Sequence, residues 1–241
     1  MTTEPSPPAG FEEAPGEEVA DEWKRRVEAE YRSASLAASV TLQLIQSGAP
    51  PDLIRDGLQV VDDELTHSEL AWQVAMAAGA QQPPRVDPDA LVLGGDGDGI
   101  AALALSVARY FCIGETVAVP LFRMLRRHAA VPLAQRALDA ILQDEGRHRQ
   151  FGWDVLDWSL SVDDRLAATV AHRLPAMLGE VRRAYGSQPE APPLAAEVAR
   201  WGLASPSAYA EVLEGALERE VVPRFGARGI LEAGAAVSST G

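Results

Sequence analysis

The sequence holds a single cysteine, Cys112, in 241 residues. A lone thiol excludes an internal disulfide, a CxxC redox pair and any iron or zinc centre held by four cysteines. Aromatic residues amount to only 6 %. Strand-like runs of Val, Ile, Thr and aromatics are missing, which argues against a β-sandwich. Basic residues are few beside acidic ones, 21 against 35, for a formal net charge of -14. That balance disfavours nucleic acid and anionic membrane surfaces as partners. No apolar run reads as long enough to span a bilayer. The acidic, proline-rich N-terminus shows neither the basic nor the apolar segment of a secretory leader. A cytoplasmic location is the expectation.

What remains is an alanine-rich chain, 47 % hydrophobic and 23 % charged, suited to closely packed helices. Residues 1–18 read as a disordered acidic, proline-rich segment and 233–241 as a disordered tail. Between them the apolar periodicity is helical. A first helix is expected over about 21–46, stopped at Ser47-Gly48, and a second over about 52–78 after the tight Ala49-Pro50-Pro51 link. A third is expected over about 100–128, kinked at Pro120, and a fourth over about 132–160. Short links make each pair antiparallel. About twenty residues of irregular chain, 79–99, separate the two hairpins, and a crossover along a four-helix bundle explains that length. Its Gly94-Gly95-Asp96-Gly97-Asp98-Gly99 run lacks the spacing and terminal Glu of a calcium loop and reads as plain loop. After the bundle domain, 19–160, an extension over 161–232 holds a fifth helix to about 185, opened by Asp163-Asp164 and bent at Pro175. A linker over 186–193 and shorter helices over 194–203 and 206–222 complete it.

Two of the four histidines close the same pattern: Asp63-Glu64-Leu65-Thr66-His67 and Asp144-Glu145-Gly146-Arg147-His148, both D-E-x-x-H. With 20 Glu and 15 Asp in the chain, two such matches would arise roughly twice in ten thousand shuffles. Chance is therefore a poor explanation. Residues three apart share a helix face, so Glu64 with His67, and Glu145 with His148, can bind one metal each. Val60, Val61, Ala71, Val74 and Ala78 continue the first face; Leu138, Ile141, Gly152, Val155 and Leu156 continue the second. Both motifs thus point inward, where a carboxylate must be neutralised, paired or metal-bound. Glu115 is the single acidic residue of the third helix. In the first, Glu30 fits better than Glu28, because Val27, Ala34, Ala37, Thr41 and Leu44 extend its face.

The order E, ExxH, E, ExxH across two hairpins resembles the ferritin-like superfamily of di-iron carboxylate proteins. Gly114-Glu115-Thr116 is similar to a motif in bacterial ferritin-like domain proteins. The resemblance covers about 21–160. It implies an all-α, ferritin-like four-helix bundle with a long crossover between helices two and three, plus additional C-terminal helices. It implies Glu30, Glu64, His67, Glu115, Glu145 and His148 as ligands of two iron ions, with manganese as the alternative metal. It further implies oxidoreductase chemistry on dioxygen or peroxide, with electrons from a separate donor. Ferroxidase or iron storage is the first alternative, and a non-catalytic interaction module the second. The C-terminal residues would cover the bundle or form a homodimer interface.

The Asp of each motif lies about 100° round the helix from its Glu. It is better placed for the imidazole of the other motif than for its own. The pairs expected are Asp63 with His148 and Asp144 with His67, both aspartates buried and Arg147 neutralising one of them. Thr66 stands at the matching position of helix two, so the halves should differ. His128 reads as a helix-end cap, His172 and Glu69 as residues outside the site, Cys112 as a small core residue, and Tyr31 and Tyr110 as packing residues.

Overall fold

The computed structural model describes residues 16–91, 99–185 and 193–230, and among these all regular structure is helical. α1 spans Glu17–Gln46 and α2 Pro51–Ala77. α3 spans Ile100–His128, α4 Pro132–Val162 and α5 Leu166–Tyr185. A single short turn, α6, covers Ala196–Ala199, and α7 covers Pro206–Ala216. A π-helical turn, Leu217–Val221, carries α7 on into Val222–Gly226, α8. α1 begins at Glu17, so the expected disordered segment overreached by two residues: Val19 and Trp23 are fully buried and hold the first turns down. Residues 1–15, the Gly/Asp run 94–98, most of the 186–193 linker and the 233–241 tail lie outside the described residues.

Packing follows the apolar stripes read from the sequence. α1 packs on α2, α2 on α4, α4 on α3, and α3 on α1. Directions follow from cross-helix contacts. Along α1 and α2, Ser68 reaches the Val27 carbonyl, Ser33 reaches Glu64, and a Cβ on Gly57 would meet Thr41. Partner numbers fall as chain numbers rise, so the pair is antiparallel. The same test holds for α2 with α4 (Asp63 to His148, His67 to Asp144) and α3 with α4 (Cys112 to Gly152, Arg126 to Asp139). Gly152 lets α4 approach the α3 backbone closely. A Cβ there would lie 2.5 Å from Phe111 Cβ and 3.0 Å from its carbonyl carbon.

α3 departs from regular α geometry over Ala108–Glu115, where the backbone is π-helical. Pro120, expected to be the disturbance, lies inside the α-helical turns that follow. α3 is also long and apolar enough to cross a membrane, with a mean hydropathy of 1.5 in its best 18-residue window, 72 % buried inside the protein. This corrects the expectation that no such run exists. The apolar content matches its position: α5 and α7 pack on α3 from outside, and α1 and α4 from inside. Arg182 ties α5 to α7 through Glu214 at 2.8 and 3.0 Å. The expected helix over 194–203 shrinks to α6, and its end accepts hydrogen bonds at the Arg200 carbonyl from Ala130 and Val131. Gly202 (φ +79°) makes the turn beside it, where a Cβ would meet Leu138 at 2.6 Å.

Candidate metal centre

Six side chains converge in the core between α1, α2, α3 and α4. Glu30 comes from α1, Glu64 and His67 from α2, Glu115 from the end of the π-helical turn of α3, and Glu145 and His148 from α4. All six are buried, both imidazoles completely. Their donor atoms form three overlapping groups: Glu64, His67 and His148; Glu30, His67 and Glu145; Glu115, Glu145 and His148. Within each group the atoms lie within 4.8 Å of one another. These buried clusters could hold a metal ion. Glu28 and Glu69 are exposed, as are His128 and His172, so none joins the cluster. Cys112 is buried, with its thiol 3.3 Å from the Gly152 carbonyl.

The two imidazoles are set by what lies behind them. His67 Nε2 is 3.2 Å from Asp144 Oδ2, and His148 Nε2 is 3.1 Å from Asp63 Oδ2. Each aspartate therefore serves the histidine of the other motif. An Asp accepting from Nε2–H fixes the tautomer and leaves the Nδ1 lone pair free to bind a cation. Both Nδ1 atoms turn inward toward Glu64, at 3.5 Å from His67 and 3.2 Å from His148, without the alignment of a hydrogen bond. The ring centroids stand 5.6 Å apart.

Arg147 corrects one detail of the sequence reading. Its Nη2 is 2.8 Å from both Asp63 Oδ2 and Asp144 Oδ1, so it bridges the two aspartates where one was expected. Asp144 corrects another. Its side chain keeps 19 % of its exposure against 10 % for Asp63, because it stands at the rim beside the half-exposed Arg147. Asp63 also accepts a 2.8 Å hydrogen bond from Gln59, whereas the residue four before Asp144 is Ala140, which has no side-chain donor. Thr66, the counterpart of Arg147, turns back to the Asp62 carbonyl. Ser33 completes the shell by donating to Glu64 Oε1 at 2.9 Å. Ser33 and Gln59 were missed in the sequence. Their only signals are spacings: three residues beyond Glu30 and four before Asp63.

The electrostatics describe a place built for positive charge. Burial pushes Glu30 and Glu145 well above the usual carboxylate range, and neighbouring carboxylates push them further. Glu115 rises to about 7, again chiefly by burial and by the charge of Glu64. Glu64 goes the other way. Burial would raise it, but its contacts with His148 and His67 hold it down at about 2. His148 rises to about 9 because Glu64 outweighs the cost of its burial. Four buried carboxylates cannot all ionise together without cations. Glu30 Oε1, Glu64 Oε2, Glu145 Oε2 and both Nδ1 atoms are buried without a hydrogen-bond partner. So many orphaned donor atoms at one point are costly unless something binds them.

No family model matches the chain, and neither a curated protein nor a solved structure does.

Proposed function

We propose that the chain is a ferritin-like di-metal protein, an oxidoreductase whose two irons, or iron and manganese, act on dioxygen or peroxide. The observation that carries this reading is the convergence of four carboxylates and two inward-turned imidazoles with orphaned donor atoms. Oxygen-rich donors with two imidazoles suit iron or manganese better than zinc or copper. Topology supports it. α2 and α3 both run antiparallel to α4, hence parallel to each other, which is the arrangement a bundle of two hairpins with one long crossover has. Between them, the short Pro88–Leu91 turn is held against α1 by Ser35, which donates to the Leu91 carbonyl at 2.8 Å.

Glu64, with contacts from both histidines, and Glu145, shared by two of the groups, would be the central carboxylates holding the metal. Glu30 and Glu115 would complete the ligand set. Bound iron supplies the electrons and open positions for dioxygen or peroxide chemistry. The chain supplies the rest. Asp63 and Asp144 hold the imidazoles by their outer nitrogens, Arg147 pairs with both aspartates, and the apolar core excludes bulk water. Reducing equivalents would come from a separate donor, since one cysteine cannot hold a rubredoxin-type iron. α5 and α7 lie on the outer face of α3, a face that a storage cage would need free.

Anaerobic loading with ferrous iron followed by metal analysis tests the reading, with about two ions per chain expected. A reproducible value of zero or one would defeat it. A hollow particle filling with iron mineral would replace oxidoreductase with storage.

A further inference from the structure

A ladder of side chains laces α4 to the C-terminal turns. Arg149 pairs with Glu220 of the π-helical turn at 3.2 Å. Arg224 and Arg228 stand over the Trp153 ring at 5.9 and 4.5 Å. Arg228 also pairs with Asp157 at 2.5 and 2.8 Å. The two end rungs are ion pairs, so their charges cancel. The middle rung sets Arg224 against a neutral ring, and Arg224 has no ion pair among the described residues. Neither has Arg123, exposed on α3. Both charges act on Arg149. Burial holds its guanidinium below the ordinary value, and Arg224 and Arg123 lower it further against the pull of Glu220. A chain of net charge -14 thus gathers a local surplus of positive charge on one face.

Unpaired arginines on a surface are ordinary; what lies beneath these is not. Trp153 is 1 % exposed and packs edge-on against Phe225. Its Nε1–H donates to the Thr116 hydroxyl at 3.1 Å. Thr116 directly follows Glu115, a member of the metal cluster. One indole therefore joins the arginine face to the candidate centre. Screening limits such a face to charges within about 8 Å at physiological salt. A compact acidic surface can be held there, whereas a long polyanion would meet the acidic remainder of the chain.

We propose that the face formed by Arg123, Arg149 and Arg224 docks a small, acidic, one-electron carrier protein of the iron–sulfur kind, with Trp153 lying between the carrier and the metal centre. This rests on the di-metal reading, which requires an outside donor. In each encounter the reduced carrier gives up one electron to a ferric ion of the centre, leaving it ferrous, and no bond in the chain forms or breaks.

The test uses the full-length protein, metal-free and iron-loaded, with a purified acidic [2Fe–2S] ferredoxin as the probe. Calorimetric titration should show saturable binding to both forms that weakens as salt is raised. Arg123→Gln/Arg224→Gln should weaken that binding about tenfold at unchanged metal content. Arg55→Gln/Arg85→Gln, the same charge change at two exposed positions elsewhere, should leave it unaltered. Under anaerobic conditions the reduced ferredoxin, below saturation, should reduce the ferric Arg123→Gln/Arg224→Gln protein more slowly than wild type in the same proportion. Dithionite, which needs no docking, should reduce both at one rate. Absence of binding by the wild type, equal binding by the Arg123→Gln/Arg224→Gln variant, or displacement by inorganic phosphate at the ferredoxin's own concentration would overturn the inference. A chain that binds ferredoxin through these arginines but holds no iron pair would defeat the di-metal centre and leave the docking face standing. An iron pair without such binding would do the reverse.

Discussion

The two flanks of the buried cluster are built differently. On α2 and α4, the imidazoles are braced from behind: each has an aspartate on its outer nitrogen, and both aspartates share Arg147. On α1 and α3, Glu30 and Glu115 are buried with no such bracing behind them, and Glu30 Oε1 is orphaned. A flank braced from behind next to one without such bracing teaches where geometry is fixed and where chemistry has room. Ligands that must not move are locked from behind. Groups meant to meet something else keep their hydrogen-bonding capacity open.

The sharpest way to break this contrast is to remove the residue on which both halves depend. Glu64 touches both imidazoles and takes the Ser33 hydroxyl. Glu64→Ala should drop iron from about two ions per chain to below one, whereas His128→Ala, at an exposed helix end, should leave it unchanged. Metal analysis of both variants decides. Retention of two ions by Glu64→Ala would remove it from the centre.

A finer cut compares the two aspartates. Asp63→Ala and Asp144→Ala should each weaken iron binding about 10- to 100-fold without unfolding the chain. Asp63 should lie nearer the upper end, because it is more buried and has Gln59 as an extra partner. Competition with a chelator gives the two affinities. The reverse order would show that burial does not govern the locking flank.

Much of this was legible in the sequence for a simple reason. A periodic helix translates spacing directly into direction, so a D-E-x-x-H on an apolar face fixes where its Glu and His point, and the crossed Asp–His pairing follows from the turn angle alone. Glu30 and Glu115 were found by the same face-matching. What escaped reading had no periodic signal. The π-helical turn ending at Glu115 inserts extra backbone per turn without any residue that announces it. The partial exposure of Asp144 depends on where the bundle surface falls, and the reach of Arg147 to both aspartates depends on their separation across two helices.

Acidity offers a way to sharpen the contrast without mutation. Glu115 is raised from 4.5 in the ordinary state to about 7 in the fold, so between those values the folded, metal-free chain holds a proton that the unfolded chain has lost. Its stability therefore falls as pH rises through that window. His148, raised from 6.5 to about 9, contributes stability below 6.5 that is lost on approach to 9, which is the same direction. Glu64, lowered from 4.5 to about 2, acts oppositely but only in the acid range. Metal ligation needs these groups deprotonated, so affinity rises over the same interval. The gap between the melting temperatures of iron-loaded and metal-free protein should widen from pH 5.5 to pH 8 (on the order of the protonation changes these groups imply). Paired anaerobic melts measure it, and a constant gap would mean that the cluster does not exchange protons for metal.

The smallest effect is expected at Arg147, and it tests what the locked flank is locked by. Arg147 joins Asp63 and Asp144 at 2.8 Å each, yet 52 % of its side chain remains exposed. An exposed guanidinium is screened by water and salt, and such pairs are worth little individually. The aspartates, by contrast, hold the imidazoles from partly or fully buried positions. Arg147→Ala should therefore weaken iron binding only a few-fold, roughly the effect of a surface ion pair, and raised ionic strength should shrink the difference from wild type. Asp63 should be affected more than Asp144 if burial sets the cost of losing a countercharge. This is read by comparing the double variants Arg147→Ala/Asp63→Ala and Arg147→Ala/Asp144→Ala with their single parents, with the coupling larger in the first. An Arg147→Ala effect as large as that of Asp63→Ala, insensitive to salt, would show that the guanidinium fixes the imidazoles and the aspartates merely transmit its hold.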